Sequence, residues 1–349
     1  MAAYTTIDNP ELYFQVKTWT GTGSSNALTL DGSEDMQPDY VMIKQRSSTQ
    51  QWNGYDVIRG VQKYLGWNTD IVENTQSQGL TAFGSDGFTV GTDDMVNKSS
   101  STYVAYCWKA GAGSGSSNTD GGINTTSTSV SQTAGFSIST WTGTGSNATV
   151  GHGLGAVPKF ITTKARSDAY DWYTYHAGIG NTKNVYINLT NAESSASANF
   201  HNNTDPTSSV WTSGGNIYNV DYTFVTYAFA EVQGFSKIGS YTGNGNADGT
   251  FTYTGFRPAW IMFKNASAGS SNWQIYDNKR EGYNGQNDLF RANSSNAEGD
   301  GVDPIDILSN GFKQLNTAAS NNVSGQTYVY MAFAEAPFVN SKGVPCNAR

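Results

Sequence analysis

The hexapeptide TWTGTG occupies residues 18–23 and returns at 140–145, and SYTGNG at 240–245 is nearly a third copy. Two readings compete for it. A glycine-rich loop that cradles phosphate lies between a buried strand and the first turn of a helix, whose free N–H groups and dipole face the anion. Here Gly23 leads into SSNALTLDG and Gly145 into SNATVGHG, and neither string carries apolar residues at helical spacing. The sequence therefore predicts a turn, reused because the chain is built from repeats.

The repeat extends downstream. From Gly21, Gly143 and Gly243, a proline follows after 17, 15 and 15 residues, at Pro38, Pro158 and Pro258. Each proline opens an apolar strand that ends in lysine six positions on: PDYVMIK to Lys44, PKFITTK to Lys164 and PAWIMFK to Lys264. A tryptophan comes eight, eight and nine residues later, at Trp52, Trp172 and Trp273. The pairs Asp86-Gly87, Gly214-Gly215 and Asn310-Gly311 then read as hairpin turns, because both residues tolerate positive φ. Each copy closes on one more strand, TYVAYCW (102–108), TFVTYAF (223–229) and TYVYMAF (327–333).

Alternate residues of a strand point to opposite faces. Val104, Tyr106 and Trp108 therefore share one face, as do Val225, Tyr227 and Phe229, and Val329, Met331 and Phe333. The other face carries Tyr103, Ala105 and Cys107, or Phe224, Thr226 and Ala228, or Tyr328, Tyr330 and Ala332. A strand covered on both faces is central, under a second sheet or a long loop. With about seven short strands per roughly 100 residues, the predicted fold is all-β: three tandem antiparallel β-sandwich modules. Jelly-roll and immunoglobulin-like strand orders both remain open.

The modules are read as 1–110, 134–230 and 231–335, with a flexible Gly/Ser/Thr linker at 111–133 and a tail at 336–349. On that reading the first module swings, whereas the second and third touch. Asn9-Pro10 makes residues 1–12 an extended arm and the expected anchor for a partner. A net charge of -8, with 20 basic against 28 acidic residues and no basic run, argues against nucleic acid. No stretch is long and apolar enough for a membrane helix, and the first residues lack the basic and apolar regions of a secretory signal. Synthesis in a cytoplasm is expected.

No catalytic, cofactor or metal site is predicted. A Ser-His-Asp site would need His152, His176 or His201, all in the second module, and intervals of 24 and 25 residues fit no zinc spacing. The histidines read as turn and surface residues, with His176 in the place that Asp56 and Asp277 have in the other copies. A glycan hydrolase needs two carboxylates at no fixed spacing. Asp56, Glu73, Asp277 and Glu298 are its candidates, but their recurrence points to scaffold use. Lys44 and Lys264 read as partners of these aspartates or as strand-end side chains reaching out to water. Cys107 falls where the other closing strands have alanine and reads as a small buried thiol, and Cys346 lies in the tail.

YTTIDNPELYFQVKTWTGTGSSNALTLDG at the start, WKAG after TYVAYC, GSYTGNGNADGTFTYTGFRPAWIMFK in the third module, and the ending YMAFAEAPFVNSKGVPCNAR resemble a repeat-domain family of marine tailed phages, particularly cyanophages. The resemblance covers nearly the whole chain and is weakest in the middle of the second module. It implies a non-enzymatic virion protein, sometimes fibre-like, on the particle surface. Head decoration, fibre and tail-appendage roles all fit. It supplies no catalytic or ligand residues. Partners would be other virion proteins and further copies of the chain, with a trimer as the expected form. The alternative is a glycan-binding adhesin, for which Trp67, Tyr173 and Trp211 are the contact candidates because they do not recur across the modules.

Overall fold

The computed structural model describes residues 5–280, 284, 288–299 and 304–346. Among the described residues the protein is all-β apart from a short 3₁₀ turn, Pro10–Leu12, and two four-residue helices, Asp94–Asn97 and Ser197–Phe200. Its frame is three large antiparallel sheets. The first has the order Phe14–Thr20, Thr102–Trp108, Tyr40–Gln45, Asn53–Asp56. The second runs Ser127–Ser131, Phe136–Thr142, Thr223–Ala230, Pro158–Ala165, Tyr173–His176, Val185–Tyr186. The third runs Ser236–Thr242, Thr327–Pro337, Phe256–Asn265, Gln274–Asp277, Phe290–Arg291. In each, the strand that closes the sequence pattern lies centrally, between the TGTG strand and the lysine strand. The prolines at 158 and 258 sit at irregularities in the ladder, where a residue without an N–H breaks no regular pairing.

A small sheet covers the outer face of each large one: Asn26–Leu28 with Gly87–Val90 and Leu80–Gly84, Ala148–Gly151 with Val210–Ser213, and Phe251–Tyr253 with Gly311–Gln314 and Ile305–Leu308. Each sandwich encloses its own core. Tyr103, Ala105 and Cys107 face one with Phe88, Phe224 and Ala228 another with Trp211, and Tyr328, Tyr330 and Ala332 a third with Phe312. The opposite faces of all three large sheets meet in a fourth core. The last residues of the sequence pattern come together there, with ring centroids 6.4 Å apart for Trp108 and Phe229, 5.8 Å for Trp108 and Phe333, and 5.8 Å for Phe229 and Phe333.

The TGTG turns are explained by packing. A Cβ on Gly21 would lie 2.1 Å from the Lys98 carbonyl oxygen, on Gly143 2.2 Å from that of Asn219, and on Gly243 2.2 Å from that of Val323. Gly23, Gly145 and Gly245 have φ near +70°, at 70°, 68° and 67°. Their N–H groups donate to Asn97, Tyr218 and Asn322 carbonyls within the chain, so these glycines offer none to an anion.

Several expectations are corrected. Residues 111–133 are not a free linker: Ser127–Ser131 is a strand of the second sheet, and the Asp39 carboxylate accepts N–H groups of Ala110, Ala112 and Gly113. Nor does the first sandwich stand apart, because it shares the common core. Residues 1–4 lie outside the described part, but Thr5 and Ile7 are buried, and Asp8 accepts from Ser341, so the rest of the expected arm is packed. The tail begins inside a strand that runs to Pro337, and Phe338 N–H donates to Gly255. Two-residue hairpin connections occur before Gly87 and Gly311, but Gly214-Gly215 follows a strand that pairs elsewhere and makes no hairpin.

Candidate functional site

The chemistry-bearing side chains gather where the large sheets meet, and there the tryptophans and lysines form a ring of bonds with one direction. Each tryptophan after the lysine strand carries its indole N–H out of its own sandwich: Trp52 donates to the Arg291 carbonyl at 3.0 Å, Trp172 to Gly66 at 2.8 Å and Trp273 to Tyr186 at 2.7 Å. The first sandwich thus bonds to the third, the third to the second, and the second to the first. The lysines follow the same course. Lys44 reaches the Ser295 carbonyl, Lys164 that of Asp70 and Lys264 that of Leu189, while each also bonds within its own sandwich. All three are fully buried, which corrects both expectations for Lys44 and Lys264. Burial pulls Lys44 down to about 7, against the pull of Glu298, and Lys164 and Lys264 to about 8.

Two junctions carry a buried ion cluster. Asp56 accepts the N–H groups of Ile58 and Arg59, the Arg59 guanidinium and, at 2.7 Å, the Tyr227 hydroxyl of the second sandwich. Asp277 accepts from Lys279, Arg280 and, at 2.9 Å, the Tyr106 hydroxyl of the first. Glu73 joins Arg59 to Arg166, and Glu298 joins Arg280 to Arg46, so each glutamate ties two sandwiches. Burial works against the charge on Arg59 and Arg280, but the surrounding carboxylates outweigh it and hold both protonated above their usual range.

The third junction replaces the Tyr–Asp–Arg set but keeps a glutamate: Glu193, whose N–H donates to Ala266 as that of Glu73 does to Arg166 and that of Glu298 to Arg46, pairs with Lys183. Its closing strand has Met331 where the others have Tyr106 and Tyr227, and its partner turn has His176 and Ile179 where the others have Asp–Arg. His176 Nδ1 accepts from the Gly178 N–H at 3.0 Å, and Nε2 lies 3.1 Å from the Tyr330 carbonyl oxygen, which can only accept. The imidazole is therefore neutral with its proton on Nε2, in keeping with burial lowering it to about 4. His152 is bonded in the same way between Leu154 N–H and the Thr207 carbonyl, and burial also lowers His201, to about 3. All three histidines are buried, correcting the expected surface placement.

The four carboxylates named for glycan hydrolysis are thus spent on guanidiniums, hydroxyls and backbone N–H groups at these junctions. Among the described residues no group of three or more His, Cys, Asp and Glu is placed to hold a metal ion. The glycan-contact candidates are corrected outright: Trp67 is 5% exposed, Tyr173 7% and Trp211 1%, leaving no ring face for a sugar. Their failure to recur has a packing cause. Trp67 stands where the other sandwiches have Ile187 and Ala292, one residue before the asparagines that accept the N–H of Trp52, Trp172 and Trp273, and all three positions fill the common core with different volumes. Trp211 takes the pairing position of Phe88 and Phe312, and Tyr173 packs on Phe200. The junction itself was hidden from sequence reading, except for the aspartate-to-histidine exchange at 176.

A family model described as Domain of unknown function (DUF7483) matches residues 9–337, so the chain belongs to that family. The match spans all three sandwiches and the whole ring of junctions. A comparison with curated proteins found no match.

Proposed function

We propose that this chain is a non-enzymatic structural protein of a tailed-phage particle, made in the host cytoplasm and displayed on the particle surface as a head decoration, fibre or tail appendage. The observation that supports it is the closed ring. Each sandwich donates its buried indole and lysine groups to a neighbour in one sense round the ring, the first and second also donate a tyrosine hydroxyl in that sense, and His176 of the second donates back to the third, so all three are tied together. Removing one partner of a buried neutral hydrogen bond leaves the other uncompensated at a cost of about 1–3 kcal/mol, and of a buried ion pair about 3–5 kcal/mol. Such construction suits a part exposed to mechanical and chemical stress, and the resemblance to phage repeat-domain proteins gives the setting. Other virion proteins are the proposed docking partners, with several copies acting together. Proteomic and immunogold analysis of purified particles tests the reading: the chain should co-purify at defined positions on the surface. Its absence from intact particles overturns the proposal. Sedimentation of the purified chain tests the separate expectation of a trimer, which a monomer at all concentrations and on the particle would reject.

A further inference from the structure

The chain has 9 Trp, 20 Tyr and 16 Phe, and among the described aromatic residues only Phe251, at 44%, and Tyr253, at 59%, are exposed. They are two residues apart on one strand, so both rings stand on the same face, while Thr252 between them points inward. That strand is the outer one of its small sheet. The fold does not require aromatic residues here. Pairing registers place Ala27 and Thr29, and Thr149 and Gly151, at the corresponding positions of the other two sandwiches. The Phe251 ring leans over Gly311, the pairing partner of Tyr253, and the Tyr253 ring lies beside Gly255, whose φ of 84° suits glycine. Small residues beneath the rings leave them standing clear.

Tyr253 also lines a surface groove of about 540 Å³ with Glu231, Gln233, Ser236, Lys237, Thr254 and Phe338. Glu231 and Lys237 pair at 3.1 Å, with Lys237 40% exposed, and Glu231 also accepts the Ile238 N–H. A carboxylate, an ammonium and an amide thus border an open aromatic face. This is the chemistry that recognises a pyranose ring: C–H groups against the aromatic face, and hydroxyls to a carboxylate that accepts, an ammonium that donates and an amide that does both. A protein partner would need more apolar surface. Stable interfaces bury about 1,200–2,000 Å² in total, and two aromatic side chains supply roughly 150–250 Å² each.

We propose that Phe251, Tyr253 and the adjoining groove form a carbohydrate-binding site confined to the third sandwich. The site is independent of where the protein resides, and its ligand class is a neutral or amino-sugar oligosaccharide. The test is an array of neutral hexose and N-acetylhexosamine oligosaccharides probed with the full chain, followed by titration of the best-bound oligosaccharide. Tyr253→Ala and Phe251→Ala should each weaken binding by at least about tenfold, whereas Tyr253→Phe, which keeps the ring, should retain most of it. The thermal midpoint should be unchanged in all three, since the rings are exposed. Absence of binding across the array overturns the proposal, as does binding that survives Tyr253→Ala. Concentration-dependent self-association that Tyr253→Ala abolishes would make the face a contact between copies and would likewise overturn it.

Discussion

Replacing Asp56 by alanine should destabilise the protein severely. Asp56 accepts four hydrogen bonds, and its side chain and that of Arg59 are both fully buried. Without Asp56, Arg59 keeps Glu73 at 3.3 Å and the Gly54 carbonyl at 2.8 Å, while Tyr227 loses its carboxylate acceptor in the common core. Breaking a buried pair from one side costs about 3–5 kcal/mol, most of it from the charge left behind. The third junction shows how the same place can be built without the buried Asp–Arg pair, so the combined change Asp56→His, Arg59→Ile and Tyr227→Met copies that solution. It should cost less than Asp56→Ala alone, because no ion is stranded and residues acting as a unit do not add. Equilibrium unfolding in guanidinium chloride, followed by tryptophan fluorescence and far-ultraviolet dichroism, measures both. An Asp56→Ala penalty under about 1 kcal/mol, or a triple variant less stable than Asp56→Ala alone, would refute the reasoning.

Three further outcomes follow from the same geometry. His176 and His201 titrate lower in the fold, at about 4 and about 3, than in the unfolded chain, so the unfolded state binds more protons below the ordinary histidine range. Their stabilising contribution is complete above about pH 6.5 and is lost as pH falls towards those values; unfolding midpoints should drop between pH 7 and pH 5, less so in His201→Phe. Gly143→Ala places a Cβ 2.2 Å from a backbone oxygen and should cost about 1–3 kcal/mol in thermal melts; a neutral result would show that the turn yields. Limited proteolysis within residues 111–133 should leave the fragments associated under native conditions, and calorimetry should show one cooperative transition, whereas an independently melting first sandwich would contradict the shared core.

The sequence by itself determined the local pieces. Glycine, proline, lysine and tryptophan at fixed intervals marked corresponding strands, and alternation along TYVAYCW, TFVTYAF and TYVYMAF separated two buried faces correctly, because strand periodicity is a property of the backbone alone. It also located the exchange at His176. What it could not determine was the destination of each face. Val104, Tyr106 and Trp108 look alike whether they meet a covering loop or two neighbouring sheets, since burial is recorded in a side chain and the identity of the burying partner is not. Only the tertiary structure decided that three such faces close on one core. The same reason explains the misplaced lysines and aromatics. Lys44 and Lys264 resemble water-seeking strand ends until carbonyls from another sandwich surround them, and Trp67 resembles a surface addition until the smaller Ile187 and Ala292 show that it fills its share of a common volume.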